Sequence, residues 1–309
     1  YDVDFIYRFC REYGYAPDFT EMVYEAIPAA LMSGKYDIGT NILKEEEREN
    51  TLLFSDTYMQ YSVIAGVFAK DNKKVALFDR IQNSFFKTFI KEDRWKMFAK
   101  GAATTFIITL FSLLAGTILG FTVFLLCRNG KLMINRTVSF IIWLVHGTPV
   151  VLFIMIICYI VFAKARISGV SVAIIGFSII FACSMFDMLE SGTKAVGKSQ
   201  LEAARAQGFS SNSAFFRIIL PQAMLHFLPQ YKGEIVSLIK ETSIVGYIAV
   251  QDLTKMSDII RSRTYDAFFP LIVTAVIYFL LAAVLALPWL SLAVSLPAIR
   301  QMEVSTTGP

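Results

Sequence analysis

Residues 192–199 read GTKAVGKS and satisfy the pattern G-x-x-x-x-G-K-[ST] at every fixed position. In nucleotide-binding proteins that pattern does chemistry because a short buried strand ends in a glycine-rich loop. The backbone N–H groups of the loop cradle phosphates while the lysine reaches the terminal ones. Here the stretch before Gly192 is GVSVAIIGFSIIFACSMFDMLES, far longer than the about four to eight residues of such a strand. No apolar strand ending in an aspartate stands elsewhere to hold Mg²⁺, so the chain alone is not expected to be an ATPase. Cys10, Cys127, Cys158 and Cys183 show no CxxC spacing, and three of them lie in or beside apolar runs. They read as free thiols. With only His146 and His226 present, neither a metal site nor a catalytic residue is expected. Three charged residues interrupt apolar stretches instead: Asp187, Lys240 and Glu241. Charges there are costly in lipid and must line a water-filled path or pair between helices.

The composition says what must position these groups. Of 309 residues 55% are hydrophobic and 17% charged, and the mean hydropathy is +0.55, which points to a membrane protein. The net charge of +4 is carried in short groups between apolar runs, so no nucleic-acid surface is expected. Residues 1–70 have the mixed composition of a soluble α/β segment. DVDFIYRFCREYG and EAIPAALMSG read as helices, and YAPDFTEM, YDIGTNIL and QYSVIAGVFA as strands, a helix-covered sheet in outline. The chain opens inside a helical pattern at YDVDFIYRF, from which we expect a preceding segment in the natural protein. Residues 71–100 combine lysines and arginines with Phe78, Ile81, Phe85, Phe89 and Trp95. Such a helix either lies in the membrane interface or links domains while packed on protein.

From residue 101 the apolar runs reach the roughly 20 residues that cross about 30 Å of hydrocarbon. Spans are expected near 103–126, 138–162, 169–188 and 268–291, with a weaker fifth near 235–250 and a tail at 294–309. Loops 127–137 and 189–232 hold Arg128, Lys131, Arg136, Lys194, Lys198, Arg205, Arg217 and Lys232, against Lys164, Arg166, Lys255, Arg261 and Arg263 in the opposite loops. The bias places the first set inside.

After the glycine-lysine pair the chain continues EAARAQGFSSNSAFFRIILPQ. Glu202, Ala203, Ala204, Gly208, Ile218, Leu220 and Pro221 stand at the spacing of the EAA loop, so this stretch resembles the signature of bacterial ATP-binding-cassette importer permeases. HGTPVVLF, AVGKSQLEAA, LPQAMLHFLPQYKGEIVSLIKETS and RSRTYDAFFPLI resemble the polar amino acid branch of that family, and the likeness covers about 101–293. It implies a mainly α bundle that forms a translocation path. Coupling through the loop near 195–222 to a separate cytoplasmic ATPase, which would bind the ATP and Mg²⁺, follows from it too. So do a second permease subunit, same or related, a polar amino acid as substrate, and a multi-pass position in the bacterial cytoplasmic membrane with loop and C-terminus inside. Physically, small Ala203 and Ala204 let a short helix enter a partner's groove, Gly208 permits the reversal after it, Ser210 or Ser211 caps the next helix, and Pro221 is expected to close that helix. Against the branch, Asp187 replaces a glutamate, Glu190 an arginine and His146 the arginine before GTP. Gly147 and Pro149 should kink the second span near the substrate path.

Residues 1–70 resemble the first lobe of the solute-binding proteins that serve these permeases, which would be fused outside the membrane. Arg48, six residues before Phe54-Ser55-Asp56, stands where that family grips an α-carboxylate, with Thr40 and Asn41 flanking and Leu43 in place of a hydroxyl. Two other readings join a receptor to membrane helices: a glutamate-receptor-like channel, whose filter and second lobe are not found, and a transport-silent amino-acid sensor.

Overall fold

The computed structural model describes residues 2–20, 27–34, 36–40, 53, 77–128, 132–165, 167–264 and 266–306. These residues are mainly helical and include no strand. Helices α1 (Asp2–Tyr13) and α2 (Ile27–Met32) fall where they were expected. Residues 15–20 and 36–40, read as the starts of two strands, have no regular structure, and the third strand, 60–69, lies outside the described residues. A strand needs a hydrogen-bonded neighbour, and none forms among the described residues.

The linker is less regular than one amphipathic helix. A helix α3 (Leu77–Phe85) runs into a π-turn, Phe86–Ile90, and a 3₁₀ turn, Lys91–Asp93. Ile81, Phe85, Phe86, Ile90 and Trp95 are exposed. Arg94 is buried and donates to the Lys87 carbonyl and the Glu92 carboxylate at 2.7 and 3.1 Å, which pins the turn to the bundle.

The first apolar run forms α4 (Trp95–Arg128), beginning earlier than read because Trp95–Lys100 continue its helical pattern. The second is α5 (Leu132–Gly147) and α6 (Val150–Ile156), the latter extended by a π-turn, Ile157–Val161. Gly147 and Pro149 break it, and the chain bends by 112° between the two parts. The third is α7 (Gly169–Val196), capped by Ser168, whose hydroxyl accepts the Ser171 N–H. Two short helices follow, α8 (Lys198–Ala206) and α9 (Ser211–Ala214), then a π-turn, Phe215–Ile219, and α10 (Leu220–Glu241). A 3₁₀ turn, Thr242–Ile248, leads to α11 (Leu253–Thr264) and α12 (Phe268–Thr306).

Among the described residues three helices are long and apolar enough to cross a membrane, or four with the bent pair as one. The weaker fifth span differs from its sequence reading. Residues 235–250 are the end of α10 plus the 3₁₀ turn, and α10 itself carries Lys232, Glu234, Lys240 and Glu241. Val245 and Ile248 are buried by the protein, so their apolar character reports core packing rather than lipid.

α7 packs along both α4 and α10, and α10 along α12. Close approach on the first seam comes from Gly116 and Gly120, one turn apart on α4: a Cβ on Gly120 would stand 2.5 Å from the Ala182 carbonyl oxygen, and one on Gly116 2.8 Å from the Phe181 Cβ. Small residues at this spacing are how helices in lipid gain van der Waals contact. The core gathers Ile108, Ile154, Phe177, Met188, Ile235 and Ile248. A second knot ties α4, α11 and α12. There Asp252, fully buried, caps α11 by accepting the Thr254 and Lys255 N–H groups at 3.1 and 3.0 Å and the Tyr278 hydroxyl at 3.2 Å. Thr105 of α4 accepts the Leu253 N–H at 3.2 Å. Burial pushes the Asp252 carboxyl up to about 6 against these hydrogen bonds.

Candidate functional site

The segment 197–222 is shaped by its own residues. α7 ends at Gly197, whose φ of +82° only glycine adopts without strain, and the chain turns directly into α8. That helix buries Ala204 at 3% exposure and leaves Glu202 and Ala203 exposed. It ends in a reversal in which the Phe209 N–H bonds to the Ala204 carbonyl at 3.1 Å and the Gly208 N–H to the Arg205 carbonyl at 2.9 Å. Gly208 takes φ +84° there, the left-handed conformation of a helix C-terminus. Ser210 then caps α9, its hydroxyl accepting the Ser213 N–H at 3.3 Å.

Pro221 does not close this helix. The chain passes through the π-turn straight into α10, with Pro221 in its first turn, where a missing N–H matters least. The wider π-turn ahead of it takes up the bond a proline interrupts, and the Gln222 side chain donates to the Ile218 carbonyl at 2.9 Å. Ile218 and Leu220 are half-buried beneath the turn. The outcome is an exposed short helix, with Glu202 and Ala203 on its surface beside the cations Lys198 and Arg205, anchored at one end of the bundle by buried Ala204.

The second arrangement lies at the broken span. A cavity of about 160 Å³ is bounded by Val145, His146, Thr148 and Val150 at the break, by Ile180, Phe181 and Ser184 of α7, and by Glu234, Leu238 and Glu241 of α10. Two carboxylates, two hydroxyls and an imidazole therefore meet across apolar walls. Among the described residues neither Glu234 nor Glu241 forms an ion pair. The cavity is thus net negative and suited to a small solute that presents a cationic group.

Of the path residues read from sequence, Glu241 lines this cavity and Gly147 and Pro149 form the break beside it. Asp187 instead approaches His146, Oδ2 to Nδ1 3.4 Å, so two of the departures from the family pattern face one another. The third, Glu190, pairs with Lys194 at 2.9 Å. Lys240 is exposed and away from the cavity. Thr40 is half-buried without regular structure, and Arg48 and Asn41 lie outside the described residues. Sequence reading missed Glu234, although it stands seven residues before Glu241 and so on the same helical face. Thr148 and Ser184 carried no signal, since hydroxyls are common in apolar helices.

Comparison with known proteins adds to this geometry. The family described as binding-protein-dependent transport system inner membrane component matches residues 112–290. A probable amino-acid ABC transporter permease protein, YckA of Bacillus subtilis, is 32% identical over 204 residues, 65% of this chain and 89% of that one. A putative glutamine transport system permease protein of Rickettsia bellii, GlnP, is 28% identical over 192 residues, covering 60% of this chain and 87% of its own. Among solved structures, an amino acid ABC transporter with histidines superposes at TM-score 0.59 with 25% identity over 72% of this chain and 99% of its own. The inward-facing MetNI methionine ABC transporter superposes at 0.58 with 19% identity over 67% and 99%, a likeness of fold alone.

Proposed function

Because the chain belongs to the family of binding-protein-dependent transport system inner membrane components, we propose that it is the membrane permease subunit of an ATP-driven importer of polar amino acids. The observation that supports the reading is the segment Glu202–Pro221, an exposed short helix and a glycine reversal at one end of the bundle, which would serve as the coupling surface. Relatives with amino-acid permease names support the substrate class. The permease is not itself an enzyme; hydrolysis falls to a separate ATPase that binds ATP and Mg²⁺ and seats on Glu202 and Ala203, whereas Ala204, expected from sequence to enter the partner's groove, is buried and anchors the helix to its own bundle.

The solute would pass the broken span. Its ammonium group faces Glu234 and Glu241, and Thr148 and Ser184 offer hydroxyls. We read α10 as a fifth span whose Glu234 and Glu241 face this path rather than lipid, with the 195–222 segment and the C-terminus on the cytoplasmic side and a second permease subunit completing the path. Residues 71–100 would lie at the outer interface. The reading of residues 1–70 as a partial, extracytoplasmic solute-binding lobe rests on the sequence likeness around Arg48 alone.

The test is reconstitution in proteoliposomes with the cognate ATPase and binding protein. ATP-dependent uptake of a polar amino acid is expected, and its absence across the common amino acids would refute the reading and favour a silent sensor. In the same system Gly208→Val forces a branched side chain to φ +84°, at a cost of about 1–2 kcal/mol. It should tilt α8, abolish solute-stimulated ATP turnover and leave membrane insertion unchanged.

A further inference from the structure

GTKAVGKS is no nucleotide loop, yet four of its residues, Thr193, Lys194, Gly197 and Lys198, line a second cavity of about 370 Å³. It lies between the end of α4, the end of α7, α8 and the start of α9. Arg128 and Arg205 complete a ring of four cationic side chains with Lys194 and Lys198, and none of the lining residues is acidic.

Three of the four cations have no carboxylate partner among the described residues. Arg128 sits over the Phe215 ring at 4.1 Å and donates through one terminal nitrogen to the Asn212 side chain, while its Nε is buried and meets no acceptor among the described residues. Arg205 donates to the Ser211 hydroxyl at 3.1 Å. Lys194 has Glu190 as its partner, and Lys198 is in no ion pair among the described residues. Arg128, Arg205 and Lys198 are three uncompensated like charges around one cavity, and an anion placed among them relieves their repulsion while taking the free N–H groups.

We propose that this cavity binds a phosphate group. Arg128 and Arg205 would contact its oxygens, Lys194 and Lys198 would supply charge, and Phe215 would back the site. The cavity stands at the ends of two apolar spans, where headgroups would flank a bilayer's hydrocarbon, and basic pockets between helices at that level suit anionic headgroups. The phosphate could belong to an anionic phospholipid or be free in solution. α8 presents Lys198, Leu201 and Arg205 to this cavity and Glu202 and Ala203 away from it, so occupancy would brace the coupling helix without covering its exposed face.

The experiment uses the full purified chain in neutral detergent. Retention of phosphatidylglycerol against phosphatidylcholine is counted by native mass spectrometry, and the thermal midpoint is followed with inorganic phosphate against chloride at equal ionic strength. Lys198→Gln/Arg205→Gln changes two exposed side chains, and Lys100→Gln/Lys164→Gln serves as a charge-matched control. Preferential phosphatidylglycerol binding that weakens about tenfold or more in the first variant only supports a lipid headgroup. A phosphate-dependent midpoint shift lost in the same variant supports free phosphate. Equal retention of both lipids with no phosphate shift, or binding undiminished in the variant, overturns the proposal, and neither readout depends on transport.

Discussion

Asp252 shows how one buried carboxylate sets a pH response. It caps α11 from a fully buried position, and burial pushes its carboxyl up to about 6, whereas an aspartate in an unfolded chain titrates near about 3.9. The folded chain therefore takes up this proton first as pH falls. The linked stabilisation is absent well above pH 6, sets in below it and is complete below about pH 4. Asp252→Asn cannot titrate, so the wild type should gain on it by up to about 3 kcal/mol between pH 7 and 4. Thermal unfolding of both chains in detergent across that range measures the gain, and a pH-independent difference would refute it. Asp252→Ala should cost about 1–3 kcal/mol near pH 7 by leaving two N–H groups without their acceptor, and that cost should grow toward pH 4 as the difference from Asp252→Asn does. Asp252 was not among the residues singled out from sequence, although an aspartate ahead of the helical pattern LTKMSDII is a usual cap. Its burial was not legible, because it is made by Thr105 and Tyr278 from helices distant in sequence.

Elements were legible to different depths for physical reasons. The long spans stood out because hydropathy sums over twenty or so residues, and the kink because Gly147 and Pro149 act locally. Residues 242–250 misled because an apolar run reports burial without saying whether lipid or protein does the burying; here α6 and α11 pack on the 3₁₀ turn. The α4–α7 seam left only a faint trace, the pair Gly116 and Gly120, whose meaning depends on the facing backbone. With 2.5 Å between a Gly120 Cβ and the Ala182 oxygen, no rotamer relieves a substitution there. Gly120→Leu should lower stability by about 1–3 kcal/mol or more and visibly depress the thermal midpoint. Gly147→Ala, whose added Cβ meets nothing within 4 Å, should stay within about 0.5 kcal/mol of wild type. Equal midpoints for Gly120→Leu and wild type would mean that the two helices do not approach as described.

At the scale of the whole molecule, exposed apolar side chains such as Phe111 and Ile118 on α4, Trp143 on α5 and Phe279, Leu280 and Val284 on α12 form a surface that only lipid or a second subunit can cover. In the proposed role the chain provides the path, and the energy comes from a separate ATPase. The motif that most resembled an internal source shows why. Gly192 lies within α7, packed so closely on α10 that a Cβ would stand 2.9 Å from the Ala223 carbonyl oxygen. Residues 192–196 are thus helical, their N–H groups in a helix ladder rather than free to cradle phosphates. Lys198 opens a new helix after Gly197, and what runs into the motif is the helix α7 rather than a strand. A phosphate drawn to the nearby cations would meet no carboxylate among the residues lining that cavity to hold Mg²⁺ or position water. The purified chain alone should therefore show no Mg-ATP hydrolysis above a protein-free control, and Lys198→Ala should leave that baseline unchanged. Adding the cognate ATPase should bring turnover that responds to solute. Saturable hydrolysis by the isolated chain, lost in Lys198→Ala, would instead make the chain its own engine and overturn the division of labour between path and motor.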